Sequence, residues 1–301
     1  MLEDIIYTSI TACVLLSGIL GYFGNHILTR CIIFIDIALA QIVALGTMIG
    51  LLLGFTEGSI FVQIVSLIFT IIIVTLFALT KFEKQLIPQE AIIGIIYGLG
   101  LGIATLLAVL DYEKINKAIE HHLGIISLFP NKIPGISNYV TESIRGNLLW
   151  CTWNEILYSF LLFAVIGILH IFLGKNFIKI SEAKDKFPFS PKKVKIMEVI
   201  FYITFGIVVA RAVPIGGVFL VFILLIAPAS MATIFVNQWK WRFILTWIIG
   251  VIGSVIGIFI SYHLDISFGP AIVCLMGISV FILAFAKIIL EKKKTLEKVA
   301  E

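Results

Sequence analysis

The chain has 301 residues, 60% of them hydrophobic and only 13% charged, with a mean hydropathy of +1.11. A soluble domain is about 45–50% apolar and about 25% charged, so a single water-bathed globule is excluded and the surplus apolar surface must face lipid. The net charge of +4 is modest, and the lysines cluster in a way that speaks to membrane topology and gives no sign of a nucleic-acid partner.

A helix that crosses the hydrocarbon needs about 20 mostly apolar residues. Runs of that kind fall at 5–22, 32–54, 59–80, 91–110, 155–174, 196–213, 215–236, 242–262 and 269–290. They predict an all-α polytopic transmembrane helix bundle of about nine spans, a single transmembrane domain over 1–301. The first run follows Glu3 and Asp4, with no basic leader and no small-residue cleavage site, so it reads as a retained span. In the second run Asp36 stands six residues after Arg30. At 1.5 Å per residue that places it about 9 Å into the span, with Gln41 in the same helix. Gly46, Gly50 and Gly54, then Gly94, Gly98 and Gly102, and later Gly253 and Gly257, have the spacing that lets helices approach closely in lipid.

The segment 111–154 is far longer than the other connections. Its first part, from Asp111 to His122, reads as a short polar helix in which Glu120, His121 and His122 form a solvated face. Pro130 and Pro134 break the chain, and Trp150 and Trp153 suit interface anchors next to the fifth span. His170 lies late in that span, roughly 20 Å beyond Glu155 and at a depth similar to Asp36. The connection 175–195 carries Lys175, Lys179, Lys184, Lys186, Lys192, Lys193 and Lys195. Between the sixth and seventh runs, Pro214, Gly216 and Gly217 supply a tight turn.

Lysine and arginine are retained on the cytoplasmic side of short loops. The 175–195 connection is therefore inside. Alternation from it puts Arg30, Lys81 and Lys84, Lys240 and Arg242, and Lys292–Lys294 inside, and Glu3, Asp4, Glu57 and Asp265 outside. The amino terminus is outside and the carboxyl terminus inside, with 111–154 extracytoplasmic. Cys13, Cys31, Cys151 and Cys274 have neither disulfide nor metal spacing and read as free thiols, with Cys151 the exposed one.

Ionisable and polar groups inside spans mark candidate paths. Asp36, Gln41 and His170 offer oxygen and imidazole ligands suited to a divalent metal. Against that stand a helix-capping role for Asp36 and a satisfied core role for His170. Gly174-Lys175-Asn176 lacks the first glycine and the magnesium-binding hydroxyl of a phosphate loop, so this chain does not bind ATP by that device.

An ordered set of stretches resembles one family. Phe34-Ile-Asp-Ile-Ala-Leu-Ala-Gln-Ile-Val-Ala-Leu-Gly46, Glu90-Ala-Ile-Ile-Gly-Ile-Ile-Tyr97 and Gly146-Asn-Leu-Leu-Trp-Cys-Thr-Trp153 are three of them. Val213-Pro-Ile-Gly-Gly-Val-Phe-Leu-Val-Phe-Ile-Leu-Leu-Ile-Ala-Pro-Ala-Ser-Met-Ala232 is the most specific, and Ser261-Tyr-His-Leu-Asp-Ile-Ser-Phe-Gly-Pro270 follows. The sequence resembles the zinc/manganese/iron class of ATP-binding-cassette permeases from about residue 15 to 285. It departs from that class in the second span, where an Asp and a His commonly stand four apart. Here Gln41 occupies the His position and Ile37 the Asp position, with Asp36 one place earlier. Five residues separate Asp36 from Gln41, about 140° around a straight helix, so the two cannot chelate one ion together.

The resemblance implies a homodimer around a central path in a bacterial inner or plasma membrane. It implies a separate cytoplasmic ATPase that holds the ATP and magnesium, and an extracytoplasmic metal-binding protein. The metal ion is substrate, and this chain binds no cofactor of its own. The cytoplasmic connection 175–195 would couple to the ATPase through Ser181, Glu182, Ala183, Lys184 and Asp185. Two other classes are weighed against this. A gradient-driven secondary transporter or channel would show inverted repeats and more buried charge. A membrane-embedded enzyme would need clustered acid–base groups.

Overall fold

The computed structural model describes residues 2–56, 58–80, 89–109, 146–183 and 189–300. The polar segment from Asp111 to His122, with Glu120, His121 and His122, and the Pro130–Pro134 break lie outside these residues. The described chain is wholly helical. It comprises α1 (Leu2–Arg30), α2 (Ile35–Leu52), α3 (Ile60–Thr80), α4 (Gln89–Val109), a 3₁₀ turn (Leu148–Trp150), α5 (Trp153–Glu182), α6 (Pro191–Phe235), α7 (Trp239–Leu264) and α8 (Phe268–Ala300). Seven of these helices are long and apolar enough to cross a membrane, and α4 contributes a shorter apolar stretch, Gln89–Ala104.

Several helices run past the apolar limits that the sequence suggests. α1 continues eight residues beyond Tyr22 to Arg30, because its last two turns bury Asn25 and His26 along with Phe23 and Ile27. It stops where Cys31 takes a left-handed conformation (φ 57°), with Cys31 N–H donating to Leu28 O and Ile32 N–H to Ile27 O. That is a Schellman closure, usually made with glycine. α5 begins at a capping box: Glu155 N–H donates to Thr152 Oγ1, and Thr152 N–H returns to the Glu155 carboxylate at 2.8 Å. It then runs on to Glu182. With α6 starting at Pro191, most of the expected loop 175–195 is helix.

The sixth and seventh apolar runs belong to one 45-residue element, α6, interrupted at Gly217 (φ 76°, ψ 162°). Gly146, itself at φ 73°, lies so close to this break that a Cβ there would come within 2.2 Å of the Gly216–Gly217 backbone, and Asn147 N–H donates to Ile215 O at 3.1 Å. The Gly146–Trp150 stretch thus meets the chain where the helical hydrogen-bond ladder is interrupted.

The chain forms two compact units. One comprises Met1–Ile33, Arg145–Lys184 and Ile215–Glu301. In it α1 packs against α5 and α7, and α7 against α8. Gly24 lets α1 approach the second half of α6 so closely that a Cβ would fall 1.9 Å from Leu225 O. The other unit comprises Phe34–Ile144 and Asp185–Pro214, with α2 packed on α3 and α4.

Gly46 and Gly50 face the α3 backbone at Ser66 and Val62, and Gly253 and Gly257 face Met276 and Ile272 of α8, as their spacing predicts. Gly94, Gly98 and Gly102 do not behave this way: nothing among the described residues lies within 4 Å of their added Cβ positions. All four cysteines are free, but the exposed ones are Cys31 and Cys274, and Cys151 is buried.

Candidate translocation and coupling sites

α2 starts after Phe34, which provides no side-chain cap, and Asp36 is the second residue of the helix. The depth counted at helical rise from Arg30 therefore does not hold, because residues 31–34 are not helical. Asp36 is 2% exposed. A carboxylate in the first turn is favoured by the amino-terminal end of the helix dipole. That end does not satisfy it fully: Oδ1 has no hydrogen-bond partner among the described residues. A buried acceptor left in this way carries a desolvation penalty of about 1–3 kcal/mol, more for a charged group.

Gln41, also buried, lies one turn further along, against α4, where a Cβ on Gly100 would come within 3.0 Å of its own Cβ. Among the described residues no group of three or more His, Cys, Asp or Glu side chains could hold a metal ion. Asp36 and Gln41 from one chain do not make a complete coordination shell.

His170 belongs to the other unit. It is 2% exposed, its Nδ1 lies 3.1 Å from Tyr22 Oη, and its ring stacks on Phe177 at 4.7 Å with Phe23 edge-on at 4.9 Å. These surroundings are those of a hydrogen-bonded histidine in an aromatic core.

At the end of α5, Ser181 is buried and Glu182 exposed, and Ala183 leaves the helix in an extended conformation. Ser181 Oγ lies 2.8 Å from His26 Nδ1 and accepts from Arg30 Nε at 2.9 Å. Glu182 Oε1 accepts from Trp239 Nε1–H at 2.5 Å. Lys184 and Asp185 lie outside the described residues.

Residues 3–288 match the model of the ABC 3 transport family, nearly the whole chain. The chain belongs to the ABC 3 transport family. It is 22% identical over 288 residues, 92% of this chain and 87% of the relative, to a probable metal transport system membrane protein of Chlamydia trachomatis serovar D. It is 26% identical over 151 residues to a probable iron transport system membrane protein of Haemophilus influenzae, covering 50% of this chain and 56% of that one.

Two solved structures share the fold of this ABC 3 chain. One is PsaBC from Streptococcus pneumoniae in complex with Fab, with a TM-score of 0.64 and 19% identity over 94% of this chain and 95% of that one. The other is an inward-facing conformation of a putative metal-chelate type ABC transporter, with a TM-score of 0.65 and 15% identity over 93% and 85%. Family and apolar helices together make this a multi-pass membrane protein of the ABC 3 transport family.

Two buried ionisable residues of this ABC 3 permease escape a search for charges inside apolar runs. His26, on α1, and Glu198, on α6, are both 0% exposed. His26 was hidden because the apolar run ends at Tyr22. The signal that could have found it is the polar pairing Asn25–Thr29 and His26–Arg30, at i,i+4 along a continuing helix. Glu198 sits two residues inside the sixth run, close to the lysines that precede it.

Proposed function

We propose that the chain is the membrane-spanning subunit of an ATP-driven importer carrying a divalent transition-metal ion, zinc, manganese or iron, into the cytoplasm of a bacterial cell. The observation that carries this reading is the family match from residue 3 to 288, in a chain with no phosphate loop of its own. The names of the relatives support a metal or iron cargo. A second copy of the permease, an ATPase on the cytoplasmic side and an extracytoplasmic metal-binding protein complete the assembly. No cofactor of its own is required in this chain.

Nine spans with the amino terminus outside fit the element lengths. The 45 residues of α6 would measure roughly 68 Å as one helix, about twice the hydrocarbon thickness, and the break at Gly217 divides them into two crossings. Counting α4 as a crossing brings the total to nine. The lysine distribution supplies the orientation.

The metal path is assigned to Asp36 and Gln41. A buried carboxylate with an unmet oxygen is costly unless it faces water or a cation. Two copies of α2 would bring two carboxylates and two amides to one path, a hard oxygen set compatible with manganese or iron and acceptable to zinc. His170 is assigned to the aromatic core.

Radiometal uptake at matched expression tests this. Asp36→Ala is expected to lose uptake by at least about tenfold while still inserting and binding its ATPase, and Gln41→Ala to lose less, because an amide oxygen is a weaker ligand than a carboxylate. Full uptake by Asp36→Ala would show that the carboxylate is structural. Uptake that follows an ion gradient and ignores ATP would support the secondary-transporter reading instead.

A further inference from the structure

A continuous set of polar contacts ties the last turn of α5 to α1 and α7 within one unit. Ser181 Oγ, buried, accepts from Arg30 Nε at 2.9 Å and lies 2.8 Å from His26 Nδ1. A serine hydroxyl has one proton and two lone pairs, so it can accept from arginine while donating to imidazole. Glu182 reaches sideways to the Trp239 indole N–H at 2.5 Å. The Arg242 guanidinium lies over the Trp239 ring at 4.3 Å.

Arg242 is itself fixed on α1. Its Nε donates to Asn25 Oδ1 at 2.7 Å, and its Nη2 to Asn25 O at 3.2 Å and Thr29 Oγ1 at 2.9 Å. Asn25 Nδ2 in turn donates to Gly21 O at 2.8 Å and to Thr246 Oγ1 of α7 at 3.0 Å. His26 and Trp239 have ring centroids 4.9 Å apart, which joins the two branches.

These contacts to α5 land on the side-chain oxygens of Ser181 and Glu182. A helix end is ordinarily capped by donors to its last carbonyls, so this arrangement does something other than capping. It fixes the position of two adjacent side chains at the point where the chain leaves the helix at Ala183.

We propose that His26, Arg30, Trp239 and Arg242 form an anchor that holds Ser181 and Glu182 fixed at the end of α5 that couples to the ATPase partner. This rests on the importer reading above and deepens it. Within the expected docking segment, the buried Ser181 and the exposed Glu182 are the fixed end. A push on that segment then reaches α1 and α7 through side-chain hydrogen bonds. Without them it would be absorbed by slippage at the helix end. The four anchoring residues are positioning residues, since they act through the segment they hold.

The test uses the permease with its ATPase in proteoliposomes, with manganese, zinc and iron(II) each supplied as the free ion. Ser181→Ala removes the buried oxygen, and Trp239→Phe removes one N–H while keeping a ring beneath Arg242. Co-purification with the ATPase and basal hydrolysis should stay at wild-type level in Trp239→Phe. In the double variant, metal transported per ATP hydrolysed should fall by roughly fivefold or more, the factor that losing about one net hydrogen bond sets in a two-state equilibrium.

Ser181→Thr keeps the oxygen and should hold the ratio near wild type. An unchanged ratio in the double variant would overturn the anchor. So would a loss that merely tracks reduced assembly and is not rescued by threonine. If the single variant Trp239→Phe assembles normally where the double variant does not, its ratio decides. A wild-type complex that moves metal without consuming ATP would instead overturn the importer reading, with the anchor falling as its consequence.

Discussion

Asp36 and His170 show what burial adds to residue type. Both are 2% exposed, and both lie in or beside apolar runs. Asp36 keeps an oxygen without a partner among the described residues, whereas His170 has a phenol at 3.1 Å and a stacked phenyl ring. The histidine is therefore expected to matter for stability and not for transport. His170→Ala should lower stability by about 2–5 kcal/mol, the range for emptying a large buried side chain. His170→Phe should lose about 1 kcal/mol, the worth of one hydrogen bond between membrane helices. Thermal unfolding in detergent measures both, and metal uptake per assembled complex should stay at wild-type level. A strong uptake defect in well-assembled His170→Phe would return this residue to the path.

The sequence named Asp36, Gln41 and His170 because they interrupt apolar runs, and that criterion finds any buried polar group without saying what satisfies it. His26 was missed because its neighbours are polar, although they are polar in order to bind one another. A hydrogen-bonded cluster at a helix end resembles a loop when only hydropathy is read. Ser181 and Glu182 were singled out by the family resemblance, but their partners on α1 and α7 are 151 and 57 residues away in sequence. No local pattern carries such separations.

At the scale of elements, the helices were legible and their ends were not. The apolar runs locate every described helix, because each needs about 20 residues to cross lipid. The ends of α1 and α5 extend past those runs because polar side chains find partners inside the protein. Cys31 closes α1 in a conformation that sequence rules reserve for glycine or asparagine, so no stop signal was visible. Small-residue spacing was informative only in part: it marks close packing at Gly46 and Gly50 but not at Gly94, Gly98 and Gly102.

The strongest requirement falls on a glycine outside any of those stripes. At Gly24 an added methyl would meet the Leu225 carbonyl, which is backbone and cannot rotate away. Gly24→Ala should therefore destabilise the chain by about 3 kcal/mol, the upper part of the usual overpacking range. Gly98→Ala meets nothing among the described residues and should be neutral or slightly stabilising, since alanine is the better helix former by about 1 kcal/mol. Equal thermal midpoints for the two variants would mean that α1 does not approach α6 as described.

At the scale of the whole molecule, membrane residence follows from composition alone, and membership of the ABC 3 family follows from the match over residues 3–288. Orientation rests on the lysines, and thiol labelling checks it. In a background with the exposed Cys31 and Cys274 replaced by serine, a cysteine at Lys184 should resist an impermeant reagent in intact cells, and one at Asn131 should react. The opposite pattern would invert the topology and with it the placement of the coupling segment.

The proposed movement of a metal ion at the expense of ATP hydrolysed by a separate subunit is tested most directly by radiometal accumulation in proteoliposomes that contain the permease, its ATPase and its metal-binding protein, with ATP on the ATPase side. Accumulation should require hydrolysable ATP and stop when Asp36 is replaced by alanine. Accumulation that proceeds without ATP, or without the ATPase subunit, would contradict it.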